Sequence, residues 1–229
     1  IWKNNRDKYL SSGDVVFCEC ELFKKYVHCG NVLYWAIDRE CLPMNPYLSE
    51  NELQFCYLGS INNIIDIPRI TAFLRECSTH KKCTLHIIGD GENKEYFIQE
   101  VLCVGVNVVD HKEVYDFQRK QEVFDQCNYG FNVMKPSVVV GLTMKSLDYM
   151  CAGLPIINTI KGDTKDFCEE WDIGFNLKKS NIKEVAERVC SESMDVQLQR
   201  RRNIQNLYNT YFTTKKFNAT LDEALNRIF

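Results

Sequence analysis

The sequence lacks several patterns that would assign a function directly. No two cysteines have the C-x-x-C spacing, and no apolar run approaches the ~20 residues of a membrane-spanning helix. No G-x-G-x-x-G motif follows a predicted strand, which argues against a nicotinamide-dependent oxidoreductase. The formal net charge is −3, so no global excess of positive charge points to nucleic acid as a partner.

The twelve cysteines do not have the spacing of a disulfide framework or a metal site. The nearest approaches to a ligand pair are Cys18-Glu19-Cys20 and His80-x-x-Cys83. Most of the others lie at apolar positions of predicted helices or strands, where cysteine acts as a small hydrophobic residue: Cys56, Cys77, Cys103, Cys151, Cys168 and Cys190. We therefore expect a cytoplasmic protein without a bound metal.

From Phe55 onward, apolar strands alternate with single helices. The predicted strands are Phe55–Gly59, Thr84–Gly89, Val106–Val109, Tyr129–Met134, Leu154–Ile160 and Ile173–Leu177. Strands that are apolar throughout are typical of a parallel sheet covered by helices on both faces. The predicted fold class is therefore α/β, with a doubly wound, Rossmann-like parallel sheet.

The chain divides into three predicted parts: residues 1–45, residues 46–212 and residues 213–229. The first part holds a strand–helix–strand unit, with strands at Asp14–Cys18 and Asn31–Ile37, and the linker runs over residues 38–54. This unit cannot bury both of its faces alone, so we expect the sequence to be a piece of a longer one. The terminal helix is expected to dock across the linker onto the first part.

One stretch, Pro136–Pro155 (PSVVVGLTMKSLDYMCAGLP), combines a loop, a helix start and two charged residues. Its loop turns through Gly141, and the helix begins near Thr143. Lys145 in the first turn is unfavourably placed unless an anion binds there, because this end of a helix carries partial positive charge. Asp148, one turn further on, could accept hydrogen bonds from a sugar hydroxyl. The stretch predicts a phosphate and polyol site; the alternative is an amphipathic helix with a solvated lysine and aspartate.

In such a sheet, ligands bind beyond the carboxyl ends of the strands. The loops predicted at that edge are Gly59–Asn63, Gly89–Gly91, His111–Val114, Gly141–Lys145 and Lys161–Thr164. The loops with Gly59 and Gly141 suit close approach of the backbone to a ligand. By contrast, Gly89-Asp90-Gly91 is expected to be a tight turn without ligand contact. The run Arg200-Arg201-Arg202 is expected to be the solvated face of a helix.

Three stretches together resemble retaining glycosyltransferases of family 4, group 1, which use sugar nucleotides and have the two-domain GT-B architecture. Phe55–Ser60 (FCYLGS) is similar to the first strand of their donor domain, and Leu85–Gly91 (LHIIGDG) to a strand followed by G-D-G. Pro136–Pro155 resembles their donor signature, PS-x-x-E-G-F-G-x-x-x-x-E-A-M-A-x-G-x-P. The resemblance runs from about Gly13 to the end. It implies the C-terminal, donor-binding half of a bacterial enzyme of polysaccharide or glycan assembly.

The sequence departs from the family signature in two respects. The signature has two glutamates, and here the first position is Val140 and the second is Asp148. The resemblance implies that Asp148 holds the ribose of the donor, whereas Val140 cannot make the family's contact to the transferred sugar. The basic pair usual after the first strand is missing from Ser60–Asp66. In its place, the resemblance implies that Lys145 and the neighbouring amides contact the diphosphate.

The implied donor-binding residues lie in three loops and one helix: Gly59, Ser60, Asn62, His111, Val114, Gly141, Leu142, Thr143, Met144, Lys145 and Asp148. His111–Val114 would line the nucleobase. No catalytic base is assigned, and Lys145 would support the departing diphosphate electrostatically. The sequence has no D-x-D motif, and the implied reaction requires neither a metal nor a cofactor.

The implied function is transfer of a hexose from a nucleoside diphosphate sugar, with UDP preferred, to a glycan, lipid-linked or protein acceptor. The configuration of the sugar is retained. The implied partners are the nucleotide sugar, the acceptor and a missing N-terminal domain, without nucleic acid. Peripheral association with the inner face of the membrane is compatible with the cytoplasmic location.

Two other functions fit the same architecture. The loss of one glutamate and of the basic pair favours a non-catalytic nucleotide-sugar-binding paralogue that scaffolds or activates a partner transferase. A sugar-nucleotide 2-epimerase is less favoured, because the loops lack the histidine and carboxylate set expected of one.

Overall fold

The computed structural model describes residues 8–10, 12–27 and 30–227. The sequence of residues 1–13 predicts the end of a helix; most of this stretch lies outside the described residues, although Lys8–Leu10 is helical. Most of the cysteines in the described ranges are buried. None of the helices in this part of the chain combines the length and the apolar character needed to cross a bilayer.

The first part of the chain contains two very short parallel strands and one helix. These are β1 (Phe17–Cys18), α1 (Glu21–Val27) and β2 (Asn31–Val32). The strands of the main part are β3 (Glu52–Leu58), β4 (Lys82–Ile88), β5 (Asn107–Asp110), β6 (Tyr129–Asn132), β7 (Ile156–Asn158) and β8 (Gly174–Asn176). Its helices are α2 (Ile67–Ser78), α3 (Lys94–Cys103), α4 (Phe117–Gln126), α5 (Met144–Ala152), α6 (Asp163–Glu170), α7 (Ile182–Ser191), α8 (Met194–Tyr211) and α9 (Thr214–Leu225), with a 3₁₀ turn at Lys179–Asn181.

Strands β3 to β8 form one parallel sheet in the order β5-β4-β3-β6-β7-β8. Alternate residues of β3 enter two apolar clusters on opposite faces. Phe55 and Tyr57 pack with α2, α3 and α7, whereas Cys56 and Leu58 pack with α4, α5 and α8. The predicted doubly wound α/β fold is confirmed. The strand order reverses between β3 and β6, which is where such sheets bind ligands.

Several strand ends differ from the prediction. β3 begins at Glu52, inside the predicted linker, because all seven of its residues pair with β4. The strand predicted over Asn31–Ile37 is shorter and ends at Val32. Its partner β1 offers only two residues for pairing, and Ile37 instead bridges Thr213. A buried apolar pattern alone therefore overestimates this strand.

The expectation for Arg200-Arg201-Arg202 is wrong at its first two positions. Arg200 and Arg201 are 3% and 1% exposed, so they do not form a solvated face. Arg200 Nη2 lies 2.8 Å from Asp172 Oδ1, and Arg201 Nη2 donates to the Phe124 carbonyl at 2.9 Å. The second contact gives the Phe124 carbonyl, near the end of α4, another donor beside the Cys127 amide.

The start of α9 lies close to the extended segment 33–51. Thr213 bridges Ile37, and the Thr214 hydroxyl lies 3.5 Å from Asp38 Oδ1. Ala224 is the buried residue of this helix, whereas Leu225 is 37% exposed. The division into residues 1–45, 46–212 and 213–229 stays a prediction.

Candidate functional site

A cleft of about 590 Å³ opens at the carboxyl edge of the sheet, beside the point where the strand order reverses. Its lining comes from the loops after β3, β4 and β5, from α4 and from the start of α5: Leu58, Gly59, Ser60, Ile88, Gly89, Asp90, Glu113, Val114, Tyr115, Lys120, Thr143, Met144, Lys145 and Asp148. The cleft therefore brings together Gly59, Ser60, Val114, Thr143, Met144, Lys145 and Asp148 from the predicted set.

The helix start at the centre of this cleft has the predicted geometry. Thr143 is extended, and its Oγ1 accepts a hydrogen bond from the Ser146 amide at 3.2 Å. The same hydroxyl lies 3.2 Å from Asn132 Oδ1. Thr143 thus caps its own helix through its side chain. The first amides, those of Met144 and Lys145, have no acceptor within the helix and are the donors available to a bound anion.

Lys145 extends from α5 towards the loop after β3. Its Nζ lies 3.1 Å from Tyr57 Oη and 4.2 Å from the centre of the Tyr57 ring. A Cβ atom added to Gly59, which has a φ of 104°, would stand 3.8 Å from Nζ. Burial lowers the pKa of Lys145 to about 8. An ammonium that has lost hydration and has a neutral phenol as its partner is stabilised by an anion.

Asp148 is held by two cations that the sequence analysis did not identify. Arg39 Nη1 donates to Oδ1 at 2.8 Å, and Lys120 Nζ lies 3.4 Å from Oδ2. Arg39 comes from the extended segment 33–51 and stacks on the ring of Phe117, 4.3 Å from its centre. The side chain of Asp148 is 16% exposed, so the alternative of a solvated aspartate is wrong. Its carboxylate is fixed at the cleft as a hydrogen-bond acceptor.

Three predicted residues lie outside the cleft lining because they pack elsewhere. Leu142 is 3% exposed in the core. A Cβ atom at Gly141 would lie 2.7 Å from Cys20 Sγ, so this glycine permits close packing against the first part of the chain. Asn62 Oδ1 accepts from the Ile64 amide at 3.1 Å and stabilises its own loop.

His111, the fourth predicted residue outside the lining, pairs with His86. The rings are stacked with centroids 5.2 Å apart, and His111 Nε2 lies 2.9 Å from His86 Nδ1. Burial lowers the pKa of His111; burial and then the neighbouring His111 lower the pKa of His86 to about 4. Nε2 of His111 is therefore engaged within the protein. The cleft wall after β5 is formed instead by Val114 and its neighbours Glu113 and Tyr115.

The glycine loop after β4 also lines the cleft, through Gly89 and Asp90. Gly89 has a φ of 144°, and a Cβ atom there would lie 2.2 Å from the Gly59 carbonyl oxygen. The two glycine loops therefore touch, which places Asp90 in the lining. No group of three histidine, cysteine, aspartate or glutamate side chains able to hold a metal occurs in the described ranges.

Comparison with known proteins identifies the family. The model of the family described as "Glycosyl transferases group 1" matches residues 53–193, which is more than half of the chain. The chain therefore belongs to the group 1 glycosyltransferases, as the resemblance predicted. The match includes every residue that lines the cleft. Among curated proteins, no sequence matches this chain.

Solved glycosyltransferases share the fold at low sequence identity. HepE of Anabaena, in complex with UDP and glucose, is 14% identical with a TM-score of 0.71, and the match covers 98% of this chain and 67% of HepE. The lipopolysaccharide outer core galactosyltransferase WaaB is 15% identical with a TM-score of 0.73, over 96% of this chain and 63% of WaaB. S. aureus TarM, in complex with Fondaparinux, alpha-GlcNAc-glycerol and UDP, is 13% identical with a TM-score of 0.70, over 99% of this chain and 46% of TarM.

These likenesses confirm the predicted Rossmann-like domain of a GT-B glycosyltransferase. The chain spans from 46% to 67% of the length of these three proteins. At such low identities the likeness establishes the fold and leaves the substrate open.

Proposed function

We propose that this chain binds a UDP-linked hexose in the cleft and serves as the donor-binding part of a retaining glycosyltransferase. The observation that carries the proposal is the meeting of a free helix N-terminus, Lys145 and Asp148 at the switch point of the sheet. The choice of UDP is supported by HepE and TarM, which share this fold and were solved in complex with UDP. The acceptor in this proposal is a glycan, a lipid-linked sugar or a protein.

In the proposed mechanism the diphosphate lies against the start of α5. The amides of Met144 and Lys145 point at it, and the Lys145 ammonium adds a full positive charge at the same end of the helix. Negative charge grows on the diphosphate as the bond to the sugar breaks. Donors that are already fixed in place stabilise that charge without reorganisation. The proposal includes no metal and no cofactor.

The nucleoside lies between Asp148 and the loop after β5 in the same proposal. Asp148 accepts hydrogen bonds from the ribose hydroxyls, and its ion pairs with Arg39 and Lys120 keep the carboxylate oriented. Val114 and Tyr115 form the wall available to the base. Tyr115 is 81% exposed, so its ring is accessible at the mouth of the cleft.

Calorimetric titration of the chain with UDP, GDP and NAD tests the donor site. We expect UDP to bind, and Lys145→Ala to weaken it by about tenfold or more, since a charge-assisted contact of roughly 1.5–3 kcal/mol is removed. Asp148→Asn keeps the shape but removes the charge and is expected to weaken binding as well. Lys183→Ala, which changes an exposed lysine on α7, is the matched control. Equal UDP affinity in the wild type and both site variants would contradict the site assignment.

The second candidate is a non-catalytic nucleotide-sugar-binding protein that scaffolds or activates a partner transferase. The residue that favours it is Val140, which stands where the family signature has a glutamate. Both candidates bind UDP, so the distinguishing assay is release of UDP from UDP-hexose in the presence of candidate acceptors, measured on the chain together with its proposed acceptor domain. Turnover that is lost in Lys145→Ala supports the enzyme. Tight binding of UDP-hexose without release supports the scaffold. For the glycosyltransferase we also propose a cytoplasmic location with peripheral association with the membrane.

A further inference from the structure

A second cavity, of about 450 Å³, opens at the same edge of the sheet, at the carboxyl ends of β6, β7 and β8. Five cationic side chains line it: Arg69, Lys161, Lys165, Lys178 and Lys179. The lining, as far as the described residues go, contains no aspartate or glutamate. This concentration of positive charge stands out in a chain whose net charge is −3. It marks a surface that attracts anions.

Two of the five cations are neutralised by carboxylates just outside the lining. Arg69 Nε lies 3.1 Å from Asp66 Oδ2, and Lys165 Nζ lies 2.9 Å from Glu169 Oε2. The ion pairs found among the described residues do not include Lys161, Lys178 or Lys179. These three lysines carry the charge that no ion pair neutralises, although Lys178 is near enough to Glu169 to help Lys165 lower the pKa of that carboxyl group.

Two asparagines of the cavity lining, Asn158 and Asn176, belong to a ladder that continues outside the lining to Asn132. Asn132, Asn158 and Asn176 lie in register on β6, β7 and β8. Their amides bond along the ladder, from Asn132 Nδ2 to Asn158 Oδ1 at 3.3 Å and from Asn158 Nδ2 to Asn176 Oδ1 at 2.9 Å. Asn132 Nδ2 also donates to Ser146 Oγ at 2.8 Å, which connects the ladder to the start of α5. These amides are engaged within the protein, so the lysines are the groups left to bind a ligand.

The shape and charge of the cavity select the chemistry of its ligand. Met134, Pro136, Ile160 and Leu177 form apolar walls beneath the lysines. A volume of about 450 Å³ is in the usual size range of small-molecule sites. Lysine ammonium groups bind phosphate oxygens as mobile point charges, and three of them together suit a group with several negative charges.

We propose that this cavity binds the phosphate or diphosphate group of an anionic ligand, at a site separate from the nucleotide-sugar cleft. The argument for an anion site depends only on the cavity and the charges that line it. Both openings lie on one edge of the sheet, so within the proposed function the ligand here is a phosphate-bearing acceptor. That identification of the ligand rests on the proposed function.

Titration with inorganic pyrophosphate, in the presence of saturating UDP, tests the anion site. We expect pyrophosphate to bind, and the triple variant Lys161→Ala/Lys178→Ala/Lys179→Ala to weaken it by about tenfold or more. The control variant, Lys25→Ala/Lys183→Ala/Lys216→Ala, removes the same charge from exposed positions elsewhere and is expected to bind as the wild type does. Equal weakening in both variants would overturn the proposal.

Two arms distinguish the source of the phosphate. Inorganic pyrophosphate represents a soluble phosphate group, and co-sedimentation with phosphatidic acid vesicles represents a lipid headgroup, with phosphatidylcholine vesicles as the neutral control. Loss of either interaction in the triple variant supports the site and names the source, whereas loss of neither rejects it. UDP affinity is expected to be unchanged in the triple variant. A chain that binds pyrophosphate through these lysines but never binds UDP would keep this site and reject the donor function.

Discussion

The two cavities at the sheet edge use charge in different ways. In the cleft, Lys145 is desolvated against Tyr57, and Asp148 is clamped between Arg39 and Lys120. In the second cavity Lys161, Lys178 and Lys179 are exposed and form no ion pair among the described residues. Positioned charge belongs where a reaction needs preorganised electrostatics, whereas mobile charge is enough to capture an anion. The difference predicts that mutations in the cleft affect both folding and binding, and that mutations in the second cavity affect binding alone.

The largest expected effect comes from Gly89→Ala at the base of the cleft. The new methyl group would meet the Gly59 carbonyl oxygen at 2.2 Å, and a φ of 144° is unfavourable for alanine. Both loops that frame the cleft must then move. We expect a loss of roughly 3 kcal/mol or more in the free energy of unfolding, measured by urea denaturation.

A second glycine, in the turn between α3 and β5, provides the control for this prediction. Gly105→Ala has a left-handed φ of 79° but no atom within 4 Å of the new methyl group, so it isolates the cost of the backbone conformation. Its expected loss is about 1 kcal/mol. Equal losses of stability in Gly89→Ala and Gly105→Ala would show that contact between the two loops is not the reason why position 89 requires glycine.

Asp148→Ala is expected to have the next largest effect. It leaves the guanidinium of Arg39 and the ammonium of Lys120 next to each other without their shared carboxylate. We expect a loss of about 1–3 kcal/mol in stability, below the value for a fully buried pair because Arg39 is partly exposed. The double variant Asp148→Ala/Arg39→Ala should recover part of the loss. If the losses in the free energy of unfolding from the two single changes, measured by urea denaturation, were fully additive, the ion pair between Asp148 and Arg39 would be contradicted.

The contrast between local and distant contacts also explains what the sequence could predict. The start of α5 near Thr143 follows from local chemistry and was predicted correctly, and Gly153 ends the helix through its left-handed conformation. Arg39 is 109 residues from Asp148, and nothing periodic connects the two positions. Lys120 points inward from α4, which is mostly polar. Its charge alone would have predicted a side chain exposed to solvent. Composition shows which residues are charged, but only the packing of distant segments shows which charges are buried.

Gly141 and His111 show a related limit of sequence reasoning. A glycine after a strand predicts close approach of something, and at Gly141 that neighbour is Cys20 rather than a ligand. A histidine in an edge loop predicts contact with a ligand, and at His111 the ring bonds to His86. In both cases the residue type correctly indicated that the position has a close neighbour or a hydrogen-bond partner. That partner is a distant part of the protein, which the local sequence does not reveal.

Lys145→Met separates the electrostatic role of this lysine from its packing. The pKa of Lys145 is lowered to about 8 by burial, so the charged form is disfavoured in the folded state. Below that pH the lysine is protonated in both the folded and unfolded states, and its desolvation destabilises the fold. Between about pH 8 and the ordinary lysine value of about 10.4, the unfolded state binds more protons, so stability rises with pH. Methionine removes this dependence.

Two measurements check the role of Lys145. The gain in the free energy of unfolding between pH 7.5 and pH 10 should be larger in the wild type than in Lys145→Met, because only the wild type loses the charge. UDP affinity should fall in the wild type as pH rises through about 8, and it should be low and insensitive to pH in the variant. Parallel pH profiles of UDP binding in the two proteins would show that the ammonium does not contact the nucleotide.

The smallest expected effect on stability is that of Lys161→Ala/Lys178→Ala/Lys179→Ala. These lysines are exposed and form no ion pair among the described residues, so removing them should change the free energy of unfolding by no more than about 0.5 kcal/mol per site. Removing three like charges from one cavity also relieves their repulsion, which should make the variant slightly more stable at low salt. Urea denaturation at 0.02 M and 0.5 M sodium chloride measures this, and the small gain should vanish at the higher concentration. A loss of stability at both concentrations would mean that the lysines support the sheet edge, and the division between positioned and mobile charge would not hold.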